Sequence, residues 1–134
     1  LLDQFTRNLY RHTSDAYIGD FLAFEIVEKT IDRKLDHELH PVERIWLYHP
    51  FHHAEDIQQQ DRGLTLLHEM EHSAKKVWQP YIRSAIEGWA RHRNIVARFG
   101  RFPHRNEVLD RIDTVKERSF LSKDCESFGQ GRKK

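Results

Sequence analysis

Three features of the sequence predict an all-α fold, an array of antiparallel helical hairpins with about five main helices. Only six Gly and four Pro occur in 134 residues, and 32% of the chain is charged against 38% hydrophobic, a helical rather than a sandwich or disordered profile. Apolar residues recur at spacings of three and four through the long segments, as the face of a helix requires. The links between those segments are short, which favours antiparallel neighbours. The length suits one domain, expected over 1–121, with a polar tail over 122–134 expected to be disordered.

In chain order, Leu1, Leu2, Phe5 and Leu9 form one stripe of a helix that starts without a capping residue, as though entered midway with upstream sequence absent. Asp3, Arg7 and Tyr10 lie opposite, at a spacing that lets Asp and Arg pair along the helix. After a turn at Arg11–Ser14, Thr13 or Ser14 can cap a second helix reaching about Ile31. Its Tyr17, Ile18, Phe21, Leu22, Phe24, Ile26 and Val27 cover most of the circumference, which predicts a central helix. The charged stretch Asp32–His40 gives way to Pro41, suited to the first turn of a third helix that carries Val42, Ile45, Trp46 and Tyr48 and ends at Pro50. A fourth helix is expected from about Ala54 to Gln79, with Ile57, Leu64, Leu67, Met70, Ala74, Val77 and Trp78 inward. Pro80 restarts the chain into a fifth, from Tyr81 to Phe99, which buries Ile82, Ala85, Ile86, Trp89 and Val96 and stops at Gly100. A loop and a weak helix near Thr114–Leu121 complete the domain.

Lys and Arg number 22 against 21 for Asp and Glu, so no global field draws the chain onto nucleic acid or an anionic membrane, and any anion site must be local. Apolar runs fall far short of a bilayer span and no signal segment opens the chain, which predicts a soluble, cytoplasmic protein. The single cysteine, Cys125, has no internal disulfide partner and no neighbouring His to activate it. No metal or cofactor is implied.

The segments Leu1–Tyr10 (LLDQFTRNLY), Tyr48–Ile57 (YHPFHHAEDI) and His92–Asn106 (HRNIVARFGRFPHRN) together resemble the bacterial family catalogued as domain of unknown function 924. The resemblance spans nearly the whole chain and implies a helical fold similar to tetratricopeptide-repeat proteins, preceded by a segment that this sequence lacks. It implies no activity. The sequence departs from the family pattern at Thr6, where Pro is usual, at Ala54, where Ser is usual, and at Asp110, where Gly is usual within an LGR triplet; the Ser-Thr stretch that follows is poorly kept at Ile112–Thr114.

Three constellations could carry chemistry. His68-Glu69-Met70-Glu71-His72 matches the HExxH pattern that places two zinc ligands and a general base on one helix face. Its histidines lie to the side of the apolar stripe, however, and a solvated helix face is the expected reading. His49, His52, His53, Glu55 and Asp56 surround Pro50 with metal-competent groups but in no defined ligand spacing, so a helix-start cap is the plainer expectation. The loop Arg98–Asn106 gathers Arg98, Arg101, His104, Arg105 and Asn106 around Gly100 and Pro103. Arginines so placed can grip a phosphate or carboxylate through bidentate contacts, or tie helix ends together by bonding carbonyls and the carboxylates of Asp3 or Glu55. His92 and Arg93 add to this loop because both project from the apolar side of their helix, where a buried His or Arg needs a partner.

These residues define the expectation of a binding module that holds an unknown protein partner or a small anionic ligand in a groove edged by Asp3, Gln4, Arg7, Asn8, His53, Glu55, His92, Arg98, Arg101, His104, Arg105 and Asn106. The alternative is a hydrolase or transferase in which His53 or His104 is general acid or base and the arginines hold an anionic substrate. No nucleophile is identified. Nucleic-acid binding ranks third, since the basic residues are confined to one loop.

Overall fold

A computed structural model of the chain describes residues 2–123, which form six α-helices and no strand. They are α1 (Leu2–Leu9), α2 (Asp20–Asp32), α3 (Pro41–His53), α4 (Ile57–Ser73), α5 (Gln79–Phe99) and α6 (Val115–Lys123), with short 3₁₀ turns at Ser14–Tyr17, Leu35–Glu38 and Pro103–Arg105. Most of the expected tail, with Cys125, lies outside the described residues.

Local chemistry explains most boundaries. Pro41 opens α3, and the His40 ring and the Glu43 carboxylate cap it reciprocally. Asp56 caps α4 by accepting hydrogen bonds from the backbone N–H groups of Gln58 (2.7 Å) and Gln59 (3.1 Å). Gly100 ends α5 at φ 71°, a left-handed conformation that costs glycine little. Thr114 and Glu117 form a capping box at α6.

The structure corrects four of the expected elements. Leu2, Phe5 and Leu9 of α1 face outward, and its inward face carries Asp3 and Arg7, because both find polar partners on other elements. The second helix is split: a 3₁₀ turn precedes α2, which buries only Ala23 and Val27 while Ile18, Phe21, Leu22 and Ile26 remain exposed. It is peripheral rather than central. Pro50 does not end α3, which runs on to His53 with Pro50, Phe51 and His52 buried. The fourth helix stops at Ser73, where Ala74 turns extended, and α5 starts at Gln79.

The centre of the bundle is α3, which packs on α2, α4 and α5. Tyr48 and Phe51 are fully buried on it, against Val27, Leu67, Met70, Ile82 and Trp89. Each large side chain so buried contributes about 1.5–3 kcal/mol. Close approach depends on Gly63 of α4: a Cβ there would stand 2.8 Å from Cβ of Phe51 and 3.0 Å from Cζ3 of Trp89. A smaller cluster of Ile95, Val96 and Phe102 closes the end of α5 against Ile57, Phe99 and Phe120. The end of α3, the start of α1 and the turn after α5 are thereby brought together.

Candidate functional site

At that meeting point Asp3 of α1 is buried and its Oδ2 lies 2.5 Å from Nδ1 of His53. Burial alone would raise the Asp3 carboxyl, but the His53 bond, the Arg7 charge and the Gln4 N–H outweigh it and hold the group well below the usual carboxylate range. Burial dominates at His53, whose pKa falls to about 3, so the ring is neutral at neutral pH and donates from Nδ1. A carboxylate that fixes the tautomer of a neutral imidazole leaves Nε2 as the acceptor.

His53 stacks on His52, with ring centroids 5.1 Å apart, and His52 stacks on Trp89 at 4.9 Å and 4°. His49 lies edge-on to both histidines, and His92 of α5 meets His52 at 3.7 Å. Beyond His92, Phe102 links to His104. Burial is the largest cause of low basicity at His92, about 4, and at His104, about 3, with the Arg105 charge adding to both.

Two guanidiniums flank this ladder. Arg7 makes a bidentate pair with Asp20 at 2.5 and 2.7 Å and lies 5.1 Å from the Tyr17 ring centroid. Arg105 lies 4.8 Å from the same centroid and 4.5 Å from that of Phe102, and its Nη2 donates to the His53 carbonyl at 3.0 Å. It is 7% exposed, no carboxylate pairs with it, and its Nε has no hydrogen-bonding partner among the described residues. Burial and then the nearby Arg7 charge lower its pKa to about 10.

Of the sequence-derived candidates, Asp3, Arg7, His53, Glu55, His92, His104 and Arg105 surround this point. The others lie apart. Arg101 pairs with Glu117 at 2.7 Å, and Asn106 donates to Asp113 at 2.7 Å, so both fasten the loop leading into α6. Arg98 is exposed and lies over Phe99 and Phe120. Asn8 is exposed and accepts from Arg11, and Gln4 contributes its backbone N–H to Asp3. Seven of the twelve candidates are therefore brought together, and five are not.

Sequence reading left out Tyr17, Asp20, Arg111 and the particular position of His52. Arg111 had a signal, because it is the Arg of the LGR-like triplet; it pairs with Glu55 at 2.7 Å. The histidines of HExxH lie on an exposed face of α4, where His68 has only a 3.9 Å contact with Glu71. Among the described residues no group of three His, Cys, Asp or Glu is placed to hold a metal ion, and no helix is long and apolar enough to cross a membrane. A cleft of about 520 Å³ between the start of α4 and the end of α5 is lined by Asp56, Ile57, Gln58, Val96, Ala97 and Gly100 and holds none of the candidate residues.

Fold and site together define an all-helical protein with a buried network of Arg, His, Asp and Glu. The chain belongs to the family described as bacterial protein of unknown function (DUF924), whose pattern it matches over residues 1–125. It is also similar to a solved structure, the protein of unknown function ATU0120 from Agrobacterium tumefaciens, at 39% identity and a TM-score of 0.77. That match covers 92% of this chain but only 64% of the other, so this chain spans less than two thirds of its relative. No curated protein matches.

Proposed function

We propose that the chain is a binding module that takes an anionic group, a carboxylate or phosphate carried by a small molecule or a protein partner, at Arg105. The observation that carries this reading is an imbalance among the arginines at this end of the fold, of which Arg7 and Arg105 are buried. Arg7, Arg101 and Arg111 are matched by Asp20, Glu117 and Glu55, whereas among the described residues Arg105 meets a carbonyl and two aromatic faces but pairs with no carboxylate. A buried guanidinium without a carboxylate is costly unless an anion completes it. We read the helices as hairpins stacked in the manner of tetratricopeptide repeats, which is supported by the packing of each helix from α1 to α5 on the next.

The Asp3–His53 pair favours a second reading, a hydrolase or transferase in which Nε2 of His53 accepts a proton while Arg105 holds the substrate's anionic group. Thermal melts followed by circular dichroism test the first reading. Phosphate, sulfate or citrate is expected to raise the parent's midpoint, as preferential binding to the folded state requires. Arg105→Ala is expected to melt close to the parent and to be indifferent to the same anions. A mutant that melts far below the parent, with no anion response in either protein, makes Arg105 a structural clamp and overturns the proposal.

A further inference from the structure

We infer that the site takes its anion together with a proton: a dianionic oxyanion bridges Arg105 and His52, and His52 becomes imidazolium as the anion enters. This rests on the reading of Arg105 as an anion site and names a second residue for it. His52 is 9% exposed, and neither Nδ1 nor Nε2 has a hydrogen-bonding partner among the described residues. A neutral imidazole carries one N–H donor and one bare nitrogen, and both are ordinarily met when buried. Trp89 and His53 stack on the ring and His92 stands against it with 3.7 Å between centroids, so a ligand reaches its nitrogens along the remaining edge.

The surroundings of His52 determine what that ligand must be. His49 and His53 face it from its own helix, His92 from α5, and Arg105 from the turn after α5. Gln60 of α4 is neutral and donates to the His52 carbonyl at 2.7 Å. The three other imidazoles are neutral at neutral pH, so among the described residues Arg105 is the charged group that acts most directly on the ring, while Asp3 bonds to His53 and acts on His49. Burial first, and then the electrostatic effect of the other histidines and Arg105, keep His52 unprotonated while the site is empty.

An oxyanion can accept from Arg105 Nε and from a His52 nitrogen, two buried groups left without a partner among the described residues. A single negative charge would only cancel Arg105. A second charge favours the imidazolium, which then offers a further N–H. The balance is one dianion and one solvent proton taken up, with no bond broken in the ligand. Phosphate esters, sulfate and dicarboxylates share this chemistry.

Sulfate serves as the probe because it does not titrate near neutral pH. Isothermal titration of the parent at pH 6, 7 and 8, in two buffers of different ionisation enthalpy, is expected to show uptake approaching one proton per sulfate. Affinity should fall by up to about tenfold per pH unit on the alkaline side. His52→Gln keeps a donor but cannot be protonated, so it should bind sulfate without uptake. Should that variant not fold, the ¹⁵N shifts of His52 in the parent must move to imidazolium values when sulfate is added at pH 7. Sulfate binding without proton uptake, or uptake that persists in His52→Gln, overturns the inference and leaves the Arg105 site standing. No sulfate binding at any pH overturns both.

Discussion

Asp3 Oδ2 and His53 Nδ1 stand 2.5 Å apart across 50 residues of chain, a buried carboxylate holding a neutral imidazole. The protein should therefore be acid-labile. The pKa values of His53, His92 and His104 are lowered, by burial first, to about 3, 4 and 3, whereas the unfolded chain returns each ring to about 6.5. Above pH 6.5 these groups contribute nothing to the pH dependence. Below it the unfolded state binds more protons, and stability falls by about 1.4 kcal/mol per pH unit for each histidine until the folded values are reached. Asp3 acts in the same direction but only below its unfolded value near pH 4, outside this window. By pH 5 three such rings remove about 6 kcal/mol, a large share of the about 5–15 kcal/mol that holds a domain folded. Urea midpoints at pH 7.5, 6 and 5 should drop steeply; a constant midpoint would refute the burial of the ladder.

Arg111 should respond to mutation unlike Arg105. Its guanidinium meets Glu55 at 2.7 and 3.0 Å, and the same carboxylate accepts from the Phe102 N–H at 2.7 Å. Removing Arg111 leaves a largely buried carboxylate half satisfied, so Arg111→Ala should cost about 2–3 kcal/mol and lower the melting point by about 10 °C. Combining it with Glu55→Gln should recover part of that loss, as coupled neighbours do. An Arg111→Ala melt indistinguishable from the parent would show that the pair holds nothing.

Gly63→Ala tests the approach of three helices. On helix propensity alone the change should stabilise by about 1 kcal/mol. The new Cβ meets the Phe51 Cβ and the Trp89 ring within 3.0 Å, and neither is the far end of a flexible side chain. Overpacking of about 1–3 kcal/mol should dominate and lower the denaturant midpoint. A raised midpoint would mean that α4 can move outward without penalty.

Helix type was legible because propensity and capping are local. Pro41 and Gly100 act where the sequence suggests, and the helix-start cap expected around His53–Asp56 is supplied by Asp56. Orientation was less legible. The stripe Leu2, Phe5 and Leu9 reads as a core face, yet α1 turns Asp3 and Arg7 inward, a choice made by His53 and Asp20, 50 and 13 residues away. Asp110 shows the limit in miniature: it sits at φ 51°, a left-handed conformation that favours Gly, so the Gly that the family resemblance leads one to expect there answers a backbone requirement. Asp3, Arg7, His53 and Arg105 were found because they stand within recognisable motifs. His52 was passed over because nothing in the order of residues tells which of three clustered histidines loses its hydrogen bonds.

The described part of the helix that supplies Asp3 and Arg7 exposes its apolar stripe, so little apolar burial holds it in place. Its attachment rests on a few polar links: Arg7 to Asp20, Asp3 to His53, and the Thr6 hydroxyl to the Ala16 carbonyl at 2.9 Å. Such an element belongs to the low-energy end of local opening. Each excursion withdraws the partner of His53 and the cation beside Tyr17 in one movement, so the assembled site is one population of an equilibrium. Any affinity measured for an anion that depends on this assembly includes the fraction of time α1 is docked. A ligand held there would in turn act as the helix's latch, protecting its amides from hydrogen exchange.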